Sequence, residues 1–232
     1  MYVPEHFALT SEQSLQALVG VVAGDLVTIG PDGPEATFVP MLHEPGGQFG
    51  VLTGHLSRIN PQWQHPGPAL FIVHGPGDYI AADWLSRPGA TSVPTWNYLT
   101  VHASGELVVH PEPDWCAESV RRLSAARGDH TVGRLPQAEV DRLLRSVIGI
   151  ELRITRLAGK AKMSQNKPPE VIGQVIDGLE RTGGDATADW MRENSLPRAQ
   201  AKADLLAGIR QRHTQLPEPG EGIGSPGAFD HR

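Results

Sequence analysis

Short apolar runs broken by proline and glycine constrain this chain more than any other feature. In the first fifty or so residues, β-like runs at 26–29, 35–42 and 48–52 are separated by Gly30-Pro31-Asp32-Gly33-Pro34 and by Glu44-Pro45-Gly46-Gly47. Turn chemistry of this kind joins neighbouring antiparallel strands, so the segment predicts a meander. A further run at 69–73 sits between Pro66-Gly67-Pro68 and Gly75-Pro76-Gly77, and 97–109 alternates as one long strand. Residues 150–157 return to strict alternation, the pattern of a half-buried strand.

Helical spacing interrupts this pattern. Thr10 or Ser11 can cap a helix whose Leu15, Leu18, Val19 and Val22 share a face until Gly24 stops it. Helices are also predicted over 114–126, through Val120 and Leu123, and over 137–148, through Val140, Leu143, Leu144 and Val147. Beyond Pro168, Val171, Ile172, Val175, Ile176 and Leu179 line one helical face, with two more helical pieces at 188–194 and 199–209. Strands first, a helical excursion, a returning strand and terminal helices fit neither a doubly wound sheet nor an all-β chain. The expectation is a mainly β, α+β chain: a barrel over 1–165 with helical insertions, a helical extension over 166–212, and a disordered tail over 213–232 rich in Pro and Gly.

At 232 residues the chain can bury a sizeable core. Its net charge of −6 opposes a broad nucleic-acid footprint, so direct DNA binding is not expected. No apolar run reaches the roughly 18 residues of a membrane span. The single Cys116 cannot form an internal disulfide, and the first residues lack a basic stretch followed by an apolar core. These features predict a cytoplasmic protein.

Three stretches concentrate polar and aromatic groups. In the first, 52–63, Thr53, Gly54, His55, Ser57, Arg58 and Asn60 lead from a strand toward a short helix. Hydroxyl, guanidinium and backbone N–H groups converging at such a junction suit a phosphate, and a solvated surface loop has the same composition. In the second, 93–102, alternation puts Trp96, Tyr98 and Thr100 on one face and Asn97, Leu99 and Val101 on the other. Such an aromatic face can stack on a planar ring or simply pack. The third, 160–168, carries Lys162, Ser164, Gln165 and Asn166, whose amides suit the edge of a flavin or base and equally suit a helix cap.

Other chemistries find less support. The ten histidines show no zinc-type spacing. A lone histidine such as His55 or His102 can serve as an axial haem ligand. Ser57 lacks a Gly-x-Ser-x-Gly elbow, Cys116 falls in a predicted amphipathic helix, and neither a dinucleotide fingerprint nor a P-loop is present.

Taken in order, four groups of residues resemble the PaiB-type family of FMN-binding proteins and negative transcriptional regulators. They are Met1-Tyr2-Val3-Pro4 with Phe7; Leu52-Thr53-Gly54-His55-Leu56 running into Asn60-Pro61-Gln62-Trp63; Val93-Pro94-Thr95-Trp96-Asn97-Tyr98 with Val101-His102; and Lys162-Met163-Ser164-Gln165-Asn166, where Leu is more usual than Met163. The family is similar to the split barrels related to pyridoxamine-phosphate oxidase, whose two subunits form FMN sites at their interface. That resemblance implies a flavin-binding split β-barrel, a homodimer and FMN as cofactor. It implies that Thr53, His55, Ser57, Arg58 and Asn60 hold the phosphate, Arg58 first and Lys162 second. Trp96, Tyr98, Lys162, Ser164, Gln165 and Asn166 would hold the rest of the cofactor. The Lys that follows the Ser-Arg pair in the oxidases is Ile59 here.

Three functions follow from these readings: a flavoprotein, either an oxidoreductase or a flavin carrier; a regulator of the PaiB type acting through a ligand or partner; and a haem-binding protein on the same barrel.

Overall fold

The computed structural model describes residues 1–86 and 91–214. Six strands close an antiparallel barrel in the order β1-β2-β3-β6-β5-β4: β1 (Val21–Gly30), β2 (Gly33–Glu44), β3 (Val51–Ser57), β4 (Gly67–Ile80), β5 (Thr95–His110) and β6 (Val147–Lys162). The α+β barrel expected from the sequence is therefore present. Its interior is filled by alternate residues of every strand, among them Leu26, Met41, Leu52, Phe71, Val101 and Ile150.

The strands are longer than their apolar runs. A helix at 10–24 was expected, but α1 (Ser11–Gln16) is short, capped by a Thr10–Gln13 capping box. Gly20, at φ +79°, then turns the chain into β1, so Val22 and Gly24 lie in a strand. Likewise β3 runs on through Ser57, and a single 3-10 turn at Pro61–Gln64 replaces the short helix expected beyond it. β4 departs furthest, 14 residues where five were expected, and β6 runs 16 where eight alternate cleanly. Between Ser104 and Gly105 the β5–β6 register shifts, leaving Thr155 without a partner on β5. Gly105 is required there, since a Cβ would lie 1.9 Å from the Arg153 carbonyl oxygen.

Helices cover two places. α2 (Pro113–Ala125) and α3 (Gln137–Leu144) bury Cys116, Ala117, Val140 and Leu144 in a small core beside β3 and β6. α4 (Pro169–Thr182), α5 (Asp185–Trp190) and α6 (Leu196–Thr214), the last two joined by a π-helical turn at Met191–Ser195, cap the far end. There Val171, Ile172, Val175 and Leu179 pack on Ile80, Leu85, Ala161 and Met163 of the barrel's lip. The expected disordered tail lies outside the described residues from 215 onward, and residues 213 and 214 still belong to α6. Among the described residues no helix is long and apolar enough to cross a membrane.

Candidate functional site

The second and third polar stretches meet at the end of the barrel capped by α4–α6. Tyr98 of β5 pairs with Lys162 of β6, so the start of one strand lies beside the end of the other. Just beyond, the chain makes a tight turn. The Gln165 side chain closes it from both sides, accepting from the Met163 N–H at 2.7 Å and donating to the Ala161 carbonyl at 2.5 Å. Ser164 adopts φ +59°, a left-handed conformation uncommon for a residue with a Cβ. It is held there by Asn97, which exchanges two hydrogen bonds with the Ser164 hydroxyl at 3.1 and 3.2 Å. Behind the turn, Ser195 of the π-helical segment donates to the Met163 carbonyl, and Met191 Sδ accepts from Asn97. π-helical turns occur often at functional sites.

These contacts leave a cavity of about 320 Å³ whose lining mixes apolar and polar side chains. Phe7, Leu85 and Val93 are its apolar members; Thr95, Asn97, Lys162, Ser164, Asn166 and Lys167 are among its polar ones. Lys162 Nζ bends back to donate to Thr95 Oγ1 and the Trp96 carbonyl. Burial and the neighbouring Lys160 and Lys167 charges push its ammonium below the ordinary lysine range. Among the described residues, Asn166 and Lys167 make no side-chain hydrogen bond and no ion pair, and no carboxylate lines the cavity.

Trp96 and Tyr98 do not face this space. Alternation along β5 sends Asn97 into the cavity and the two aromatics to the barrel's exterior, where Trp96 meets Tyr79 edge-on at 6.3 Å and Lys160 lies over the Tyr98 ring. Ser164 lines the cavity while it also builds the turn, and the Gln165 side chain is spent in the turn. Thr95, Asn97 and Lys167 take the cavity positions instead. Strand parity placed Asn97 opposite Trp96, which was the available signal; Lys167 had none beyond its charge.

The first stretch lies at the other end of β6. Thr53 and His55 point outward from β3 but are roofed by α2. Thr53 Oγ1 donates to Glu44, whose second oxygen accepts from Arg122 of α2 at 2.6 Å. His55 is paired across β3 and β6 with Gly149, on which the Trp115 ring rests; its Nδ1 is buried without a hydrogen-bond partner, and burial lowers its pKa. Arg58 donates to the carbonyls of Arg145 and Val147 at 3.2 and 2.9 Å, tying β3 to the start of β6. Asn60 caps the following turn and donates to Thr37. Only Ser57 and the outer edge of Arg58 stay open. β6 spans 16 residues between the two groups, about 50 Å of strand path at about 3.3 Å per residue. One chain therefore does not bring them together.

The family profile described as "Putative FMN-binding domain" matches residues 1–156. The chain is 28% identical over 189 residues to the Bacillus subtilis "Protease synthase and sporulation protein PAI 2", covering 78% of this chain and 89% of that one. It is also 28% identical over 176 residues to an uncharacterized Aspergillus fumigatus protein, 58% of this chain and 67% of that. Among solved structures, the flavocytochrome Anf3 of Azotobacter vinelandii superposes with a TM-score of 0.51 at 15% identity, over 69% of this chain and 72% of that chain, which is a likeness of fold.

Proposed function

The chain belongs to this FMN-binding domain family, and from that premise we propose that it is a homodimeric FMN-binding protein whose cofactor sits in the cavity beside Lys162 and Lys167. The observation that carries the reading is what lines the cavity. The apolar side chains of Phe7, Leu85 and Val93 suit a flavin ring, and the two lysines, with no carboxylate among the lining residues, suit a phosphate. In a chain of net charge −6 such a local excess of cations is a specific feature. The residues thus fit the cofactor. When bound, FMN supplies the electron-transfer chemistry; the protein holds and orients it.

The outer surface of the barrel and the divided candidate residues support the dimer. Two rows of outward side chains, Ala36–Val27–Leu70 and Phe38–Asp25–Ile72, run across β2, β1 and β4, and Phe38 is 68% exposed. The apolar row Ala36–Val27–Leu70, with Phe38 and Ile72 flanking Asp25 in the next, suits self-association on a barrel exterior. A two-fold axis there sets one end of a barrel near the opposite end of its mate. Ser57 and the open edge of Arg58 from one copy then join Lys162, Asn166 and Lys167 of the other around one FMN.

Titration of the apo-protein with FMN, followed by flavin fluorescence, tests the reading. Lys162→Ala/Lys167→Ala should weaken binding on the order of tenfold or more. Unchanged affinity in that variant would remove FMN from the cavity.

A further inference from the structure

Next to that cavity lies a second one that no flavin contact requires. It encloses about 420 Å³ and is lined by His6, Gln165, Asn166, Arg198 and Lys202. With the Gln165 amide committed to the turn, His6, Asn166, Arg198 and Lys202 bring nitrogen donors or positive charge to it, and none of the lining residues is a carboxylate. The two cavities meet at Asn166, which lines both, and the amino-terminal turn Glu5–Phe7 lends Phe7 to the first and His6 to the second.

Arg198 and Lys202 stand four residues apart on α6, so they share a face and lie one above the other, about 6 Å apart along the axis. Like charges at this spacing destabilise a helix unless an anion answers them. Among the described residues no carboxylate pairs with either. α6 lies beyond residue 156, where the matched family region ends.

We propose that the α6 cleft binds the diphosphate of a second ligand, beside the flavin and distinct from it. Two cations one helical turn apart answer two linked phosphates, and Asn166 at the junction places that ligand against the cofactor. The assignment of the neighbouring cavity to FMN rests on the reading above; the anion-binding cleft stands on its own residues.

Inorganic pyrophosphate is the probe, titrated by calorimetry at low ionic strength into the full chain and into Arg198→Gln/Lys202→Gln, with FMN titrated in parallel. Both residues are exposed and, among the described residues, neither side chain makes a hydrogen bond or an ion pair, so the thermal midpoint should move little. The double variant should bind pyrophosphate on the order of tenfold more weakly, and added salt should reduce wild-type binding. Its FMN affinity should be unchanged. Equal pyrophosphate affinity in both proteins, or no binding to either, overturns the proposal; so does equal loss of FMN and pyrophosphate, which would make the cleft part of the flavin site. Pyrophosphate binding that needs Arg198 and Lys202, in a protein that binds no FMN, would uphold the cleft and overturn the flavin reading alone.

Discussion

Asn97 on β5 and Ser164 in the turn after β6 hold each other through two hydrogen bonds at 3.1 and 3.2 Å, although 67 residues separate them. The contact is buried, and it fixes Ser164 in its left-handed conformation at the rim of the cavity. Asn97→Ala leaves the Ser164 hydroxyl without its partner and should cost about 1–3 kcal/mol of stability. Urea denaturation measures the loss. Because the same turn carries Asn166 and Lys167, FMN affinity should fall further than the stability change explains; equal FMN affinity in folded variant and wild type would dissociate the turn from the cofactor.

Mixing variants tests whether one site draws on two chains. Arg58→Ala and Lys162→Ala/Lys167→Ala should each bind FMN poorly. After subunit exchange at equal concentrations, about half of the dimers are hybrids with one intact site each, so about one quarter of all sites should recover. Fluorescence titration of the mixture counts them. No recovery would place all FMN contacts within one copy.

Binding should depend on pH through Lys162. Burial and its lysine neighbours push this ammonium below the ordinary range, so it loses its proton earlier than a free lysine as pH rises. A phosphate beside it favours the charged form, and FMN affinity should therefore decline on the alkaline side, beginning below the ordinary lysine value of about 10.4. Lys162→Arg, which keeps its charge throughout, should flatten that decline. A curve of identical shape in the variant would exclude Lys162 from contact with the phosphate.

His55 makes stability fall on acidification. Its folded pKa lies below the ordinary value of about 6.5 because burial under α2 disfavours the imidazolium. The unfolded chain then binds more protons at that position, so the contribution is full above about pH 6.5 and is lost as pH falls toward the folded pKa. Denaturation midpoints across that window should show a shallower acid decline in His55→Gln than in wild type.

Gly149→Ala probes the cover over the first polar stretch. A Cβ there would lie 2.4 Å from the Trp115 ring, which also stacks on His110 at 4.0 Å. Displacing that ring should destabilise the protein by about 1–3 kcal/mol and shift tryptophan emission to longer wavelength. An unaltered spectrum would mean that α2 yields without cost.

The barrel was legible because its strands announce themselves locally: apolar runs between Pro and Gly turns, and alternation at 97–109 and 150–157. Strand ends were less so. Val22 continues a helical spacing from Leu15 by coincidence, and only the positive φ of Gly20 reverses the reading. In the site, alternation alone separated Asn97 from Trp96. The partners of Arg58, the carbonyls of Arg145 and Val147, lie 87 and 89 residues away, and the roof over Thr53 and His55 comes from a helix sixty residues downstream. Local pattern carries no record of such pairings, so residues that read as open phosphate donors proved to be partly committed to the scaffold.

β6 carries a consequence for how such chains can vary. It begins at the Arg58 anchor and ends at the lysines of the cavity without a break, and its single irregularity, at Thr155, already switches which side of the sheet the later residues face. One residue inserted or deleted anywhere along it would turn Lys160 and Lys162 inward and Ala161 outward. The strand thus behaves as a calibrated ruler: loops around it are free to lengthen over evolutionary time or in a designer's hands, while its own count of residues is held fixed.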